Sequence, residues 1–327
     1  MKVYPGDDDA QWRQFHETTV APFWHEHVQP RQLQCEDDIS VHWYLYVPDS
    51  ARGLILISPG RLEAALKYQE LLWQLAQQGY AVAILDHRGQ GRSDRLSDHS
   101  HHGHVHHFDD FVNDFAKFAE AAGNECPELR QYLLAHSMGG AIGALYLARH
   151  RHHIHRAVLS APMFGIYTPG RPRWLVSLIA RTGTLLNRLL QPSRPWYFWG
   201  MSDYREVPFA ENDLTQSPSR YQLFRDQYAK YPELQLGGPT YNWVDQALNA
   251  TRRALTEAPK IKIPVLLLQA GADTVVCQAA QEQIMERFPH PDSRILRIKG
   301  ARHELLIEQD RYRQPAVKAM LEWFQTD

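Results

Sequence analysis

Apolar and polar positions along the chain follow two rhythms. Residues 39–47 (ISVHWYLYV) and 53–58 (GLILIS) are rich in β-branched and aliphatic side chains and end on Pro48-Asp49-Ser50 and Pro59-Gly60, which predicts two strands. From Glu63 to Gln78 apolar residues recur at helical spacing, Gly79 stops the run, and residues 80–85 (YAVAIL) predict another buried strand. The alternation continues with helices at 108–122 and 139–150 and strands at 131–135 and 156–161. It lapses after Pro162, through a stretch with prolines, Trp174, Trp196, Tyr197, Phe198, Trp199 and a helix-like piece at 173–190. Strand grammar returns at 263–269, followed by a helix at 278–287, a strand at 294–298 and a helix at 313–325. The pattern predicts an α/β fold, a mostly parallel sheet with helices on both faces. Its core falls in two parts, 1–162 and 256–327, around an inserted subdomain at 163–255.

Composition narrows the function classes. With 44% hydrophobic and 22% charged residues the chain is neither disordered nor fibrous. The balance of 35 Lys+Arg against 37 Asp+Glu offers no general attraction to nucleic acid, and no protein partner is evident. Cys35, Cys126 and Cys277 form no C-x-x-C pair, which fits a reducing cytoplasm. The acidic, polar start MKVYPGDDDAQWR is unlike a secretory signal. The longest apolar stretches, such as Ile263 to Ala270, fall far short of the ~20 residues a spanning helix needs, so membrane contact is expected to be peripheral.

The most informative stretch is QYLLAHSMGGAIG (131–143), a buried strand, then Ser137 in a tight turn, then a small-residue helix start. It reads as a nucleophile elbow, with Ala135 and Gly139 small enough for strand and helix to approach. The helix that follows aims its free amides and positive dipole end at Ser137, which makes Met138 N–H an oxyanion donor candidate. A serine hydroxyl needs a base within hydrogen-bond reach and a third group to hold that base. Asp273 and His303 each lie just past the carboxyl end of a predicted strand, where parallel sheets assemble their ligand sites. Asp292, His290 and Asp310 lack that placement, and Glu304 is the main rival for orienting the base. The loop after strand 53–58 offers Arg61 N–H as the second oxyanion donor; its side chain suits either a phosphate or solvent.

These residues resemble the α/β-hydrolase superfamily, and within it the monoacylglycerol lipase and bacterial lysophospholipase group. The resemblance spans residues 50–327 and includes DHRGQGRSDR (86–95), AHSMGGAI (135–142), APMFGI (161–166), GGPTYNWV (237–244) and IKGARHELLIE (298–308). It implies Ser137 as nucleophile, Asp273 as acid, His303 as base, the amides of Arg61 and Met138 as oxyanion hole, and a sheet of about eight strands under a cap. Ala135 and Pro59 depart from the usual Gly and His of that pattern. The implied reaction is hydrolysis of lysophospholipid esters, with monoacylglycerol lipase or carboxylesterase as the alternative and a non-catalytic ligand-binding protein as the rival from another class. No cofactor or metal is required.

The insertion is where acyl-chain selection is expected, with Trp174, Leu175 and Leu178 as candidate substrate-lining or membrane-facing residues. If 171–190 forms an amphipathic helix, its basic residues and apolar face suit the cytoplasmic face of an inner membrane. The His-rich run 99–107 lacks partners at a zinc spacing and reads as a loop. Asp86, Arg88, Gly89, Gly91 and Ser93 read as shaping the loop after a strand.

Overall fold

The computed structural model describes residues 6, 9–168 and 170–326. Eight strands form one sheet: β1 Gln29–Gln34, β2 Ser40–Tyr46, β3 Leu54–Ser58, β4 Ala81–Leu85, β5 Gln131–His136, β6 Ile154–Ser160, β7 Val265–Ala270 and β8 Arg294–Ile298. Their order is β1-β2-β4-β3-β5-β6-β7-β8, antiparallel in the β1–β2 and β2–β4 pairs and parallel elsewhere. Helices α1 Asp9–Phe15, α2 Ala21–His27, α3 Gln69–Gln77, α4 Phe108–Glu125 and α5 Met138–Arg149 accompany the first six strands. Between β6 and β7 come α6 Arg173–Leu190, α7 Pro218–Lys230 and α8 Tyr241–Glu257, and α9 Gln278–Met285 and α10 Asp310–Gln325 complete the chain.

The central strands are continuous apolar runs because both faces are covered. Leu54, Leu56 and Leu133 pack with α4, α5 and α8 on one face, while Ile55, Ile57 and Leu134 pack with α3 and α10 on the other. The expected mostly parallel sheet is thus present, and most element limits agree within two residues. Two differences have physical causes. The helix expected from Glu63 begins as a 3-10 turn at Ala65–Tyr68, because the Glu63 carboxylate turns back to the Gly60 amide and Leu62 takes φ 67°. Strand β1 (QPRQLQ) escapes the hydrophobic pattern because it is an edge strand with mostly solvent-facing side chains, held by its pairing to β2.

Sheet order reverses beside β3: the chain goes from β3 to β4 on one side and then to β5 on the other. Loops leaving β3 and β5 therefore diverge and open a crevice at the carboxyl ends of the strands. The long segment between β6 and β7 is tied to that rim. Leu214 O accepts the Glu304 amide at 2.9 Å, Tyr228 OH donates to Leu62 O at 2.7 Å, and Arg220 grips Glu70 through two bonds of 2.8 and 2.9 Å.

Candidate active site

Ser137 joins β5 to α5 at φ 52°, ψ −117°, a strained conformation for a residue with a side chain. The turn is held by Ser137 N–H donating to Ser160 O at 3.0 Å and by Ser137 O accepting from Met163 N–H at 2.8 Å and Gly140 N–H at 2.9 Å. Position 139 must be glycine, since an added Cβ would lie 2.1 Å from Ser58 O and 2.5 Å from Pro59 O. Ala135 fits where the resemblance leads one to expect glycine because Gly143 faces it; a Cβ at Gly143 would stand 3.3 Å from the Ala135 Cβ.

His303 follows β8 and Asp273 follows β7, and the fold brings both to Ser137. His303 Nε2 is 2.9 Å from Ser137 Oγ, and its Nδ1 is 2.8 Å from Asp273 Oδ2. Asp273 Oδ1 accepts the amides of Val275 at 2.8 Å and Val276 at 3.1 Å, which fixes the carboxylate plane. With Nδ1–H donating to Asp273, Nε2 carries the lone pair that faces the serine hydroxyl. Glu304, the sequence rival for Asp273, is engaged elsewhere.

Its carboxylate belongs to a buried ionic cluster behind the site. Lys67 Nζ donates to Glu304 Oε1 at 2.8 Å and also pairs with Glu63, whose other oxygen accepts Tyr68 OH at 2.6 Å and the Gly60 amide. His136 Nδ1 donates to Ser160 O at 3.1 Å, and its Nε2 stands 3.3 Å from Glu304 Oε2, within ion-pair range though poorly aligned for a hydrogen bond. Burial opposes charge on Lys67 and His136, yet Glu304 and Glu63 outweigh it and hold both pKa values above their usual ones. Burial likewise opposes a charged Glu304, but Lys67 and His136 keep its carboxyl well below the usual range. Among the described residues, Glu63, His136 and Glu304 are the one set of metal-type ligand atoms drawn together, and the Lys67 ammonium already supplies a cation there.

This cluster anchors the loop after β3. Gln90 adds bonds to Gly60 O at 3.0 Å and from Leu62 N–H at 3.2 Å. Among the described residues, no acceptor claims the amides of Arg61, in the β3 loop, or Met138, at the start of α5, and both residues line the same cavity as Ser137. The cluster was hidden from sequence reasoning because burial of lysine and glutamate runs against their habit. Its one sequence signal was adjacency: His136 precedes Ser137, and Glu304 follows His303.

A cavity of about 640 Å³ opens at Ser137 and His303, with Met163, Ile166, Val207, Leu214, Leu236 and Trp243 among its apolar walls. Trp174, Leu175 and Leu178, expected as substrate-lining candidates, are not on that wall. They lie on α6, where Trp174 and Leu178 are exposed, because the face that turns inward is the one bearing Ala180, Thr184 and Asn187.

The His-rich run is tied into the fold one ring at a time. His99 Nε2 meets Asp203 Oδ1 at 2.6 Å, His102 Nδ1 meets Ser97 Oγ at 3.0 Å, and His104 Nδ1 meets Thr240 Oγ1 at 2.9 Å. Thr240 also caps α8, so the His-rich run and segment 237–244 hold one another. The Asp86 carboxylate closes its loop on the amides of Ala65 (2.6 Å) and Arg92 (2.9 Å), while buried Arg88 pairs with Asp114.

A serine at a strand–helix elbow, bonded in sequence to a histidine and an aspartate from later strands, defines a serine-type α/β hydrolase. The chain belongs to that class through the family whose model is described as "Serine aminopeptidase, S33", which matches residues 49–310. It is 37% identical to Lysophospholipase L2 of Escherichia coli strain K12 over 93% of this chain and 89% of that one. Identity to the "Probable lysophospholipase L2" of Haemophilus influenzae is 36% over 95% and 96% of the two chains, and to the Monoglyceride lipase of Rattus norvegicus 29% over 78% and 76%. A solved structure of a soluble variant of Monoglyceride Lipase from Saccharomyces cerevisiae in complex with a substrate analog shares the fold, with TM-score 0.72 and 18% identity over 91% and 95%.

Proposed function

We propose that this chain is a lysophospholipase that cleaves fatty-acyl esters through a Ser137 acyl-enzyme. The observation that carries the reading is the continuous Ser137–His303–Asp273 hydrogen-bond chain at the floor of a largely apolar cavity. His303 Nε2 takes the Ser137 proton as Oγ attacks the acyl carbonyl, and the N–H groups of Arg61 and Met138 stabilise the tetrahedral oxyanion. On collapse, His303 returns the proton to the departing glycerol oxygen. Water, deprotonated by His303, then attacks the acyl-enzyme and frees the fatty acid and Ser137. The lysophospholipase names of the more similar relatives support the substrate class, with monoacylglycerol the second choice. Release of the same fatty acid from lysophosphatidylethanolamine, lysophosphatidylcholine and monoacylglycerol is the test. A lysophospholipid is expected to have the higher kcat/KM; monoacylglycerol ahead of both reverses the assignment.

In the same reading, segment 163–255 is a cap and α6 rests on the cytoplasmic leaflet. No helix among the described residues is long and apolar enough to cross a membrane. Trp174, Leu178, Leu185 and Leu189 nevertheless form an exposed apolar stripe on α6, with Arg173, Arg181 and Arg188 and no acidic residue on the helix. Met201, at the cavity, and Trp199, whose ring lies 5.2 Å from the Arg171 guanidinium just before α6, are exposed as well. Wild-type protein is expected to float with phosphatidylethanolamine/phosphatidylglycerol vesicles and Leu185→Glu/Leu189→Glu to remain behind. Absence of wild-type flotation at low salt rejects the surface role.

A further inference from the structure

We infer that Arg61 and Arg225 form a phosphate subsite in the Ser137 cavity and hold the phosphodiester of a lysophospholipid headgroup. The inference rests on the lysophospholipase reading and names what recognises the part of the substrate that is not cleaved. A buried guanidinium is costly unless an anion and hydrogen-bond acceptors meet it. Arg88 and Arg220 obey that rule through Asp114 and Glu70. Arg61 and Arg225 do not: among the described residues neither is within ion-pair distance of a carboxylate, and each keeps a buried Nε–H with no acceptor.

Their scaffolding fixes the two forks without consuming them. Arg61 Nη2 donates to Gly237 O at 2.5 Å, and its guanidinium lies 5.1 Å from the Trp243 ring. Arg225 Nη2 donates to Tyr221 OH at 2.8 Å, and its guanidinium stands 4.8 and 4.7 Å from the Tyr221 and Phe224 rings. Both side chains line the cavity that contains Ser137 and His303. Burial brings the Arg61 pKa down to about 10, which still leaves it charged at neutral pH.

The cavity's own carboxylates are engaged elsewhere. Glu63 and Glu304 are held by Lys67, and Asp203 by Tyr197 OH at 2.5 Å and His99 at 2.6 Å. Two buried guanidiniums that no carboxylate compensates, with Arg205 also on the lining, are suited to a monoanion with two free oxygens, which a phosphodiester provides and a monoacylglycerol lacks.

The test uses non-hydrolysable ether lipids below their micelle concentration, so that binding is read without turnover. Decyl-ether lysophosphatidylethanolamine is expected to bind wild-type protein about 10- to 100-fold tighter than decylglycerol by calorimetry. Arg225→Gln is expected to remove most of that ratio and Arg225→Lys to retain part of it. Inorganic phosphate should compete only at millimolar concentration. Equal wild-type affinity for the two ethers, an unchanged ratio in Arg225→Gln, or inorganic phosphate binding as tightly as the lipid overturns the subsite. Because the wild-type ether comparison needs no variant, a misfolded Arg225→Gln leaves it decisive. Preferential binding of the phosphorylated ether by a chain that hydrolyses neither ester upholds the subsite and rejects the hydrolase reading.

Discussion

Ser137→Ala is expected to lower kcat for lysophospholipid hydrolysis by about 10⁵- to 10⁶-fold while leaving thermal stability near that of wild type. The elbow bonds that hold position 137 run through its backbone N–H and C=O, and a methyl side chain occupies no more space than the hydroxymethyl it replaces. On the proposed mechanism, what remains is His303 with the amides of Arg61 and Met138, which can position water but form no acyl-enzyme. A loss below about 100-fold, outside the range that removal of a covalent nucleophile produces, would transfer the nucleophile role to another residue. Initial rates of fatty-acid release, with melting curves on the same preparations, give the comparison.

Asp273→Asn is expected to cost about 10⁴-fold in kcat with little change in KM. Asp273 presents one oxygen to the amides of Val275 and Val276 and the other to His303 Nδ1. An asparagine satisfies the two amides only by keeping its carbonyl there, which turns its NH₂ toward Nδ1. Histidine then holds its proton on Nε2, facing Ser137 Oγ, and no longer accepts the serine proton. Glu304 offers no rescue, because Lys67 and His136 already engage its carboxylate. Steady-state kinetics on Asp273→Asn check this; a loss under 10-fold means that another acid orients His303.

Residues in buried parallel strands were legible from sequence because nearly every position there is apolar, a demand set by coverage on both faces. Ser137, Asp273 and His303 were legible because each needs a specific place at a strand end, and chain order specifies those places. Residues whose role depends on three-dimensional charge pairing were not. Lys67 looks like any solvent-facing helix lysine until Glu63 and Glu304 are seen to converge on it. Arg225, five residues after Arg220, gives no sequence hint that one pairs with Glu70 while the other enters the cavity. The α6 candidates are absent from the cavity wall for a related reason. An amphipathic helix announces two faces, but which face turns inward is decided by neighbours such as Tyr241, whose ring would meet a Cβ placed at Gly183 at 2.3 Å.

Acid quench of wild-type protein during turnover of lysophosphatidylethanolamine, followed by peptide mass spectrometry, bears most directly on the covalent route. The expected result is one acyl group, carried by the peptide containing Ser137 and absent from Ser137→Ala. Rapid fatty-acid release by Ser137→Ala, or an acyl group trapped on any other residue, would contradict it.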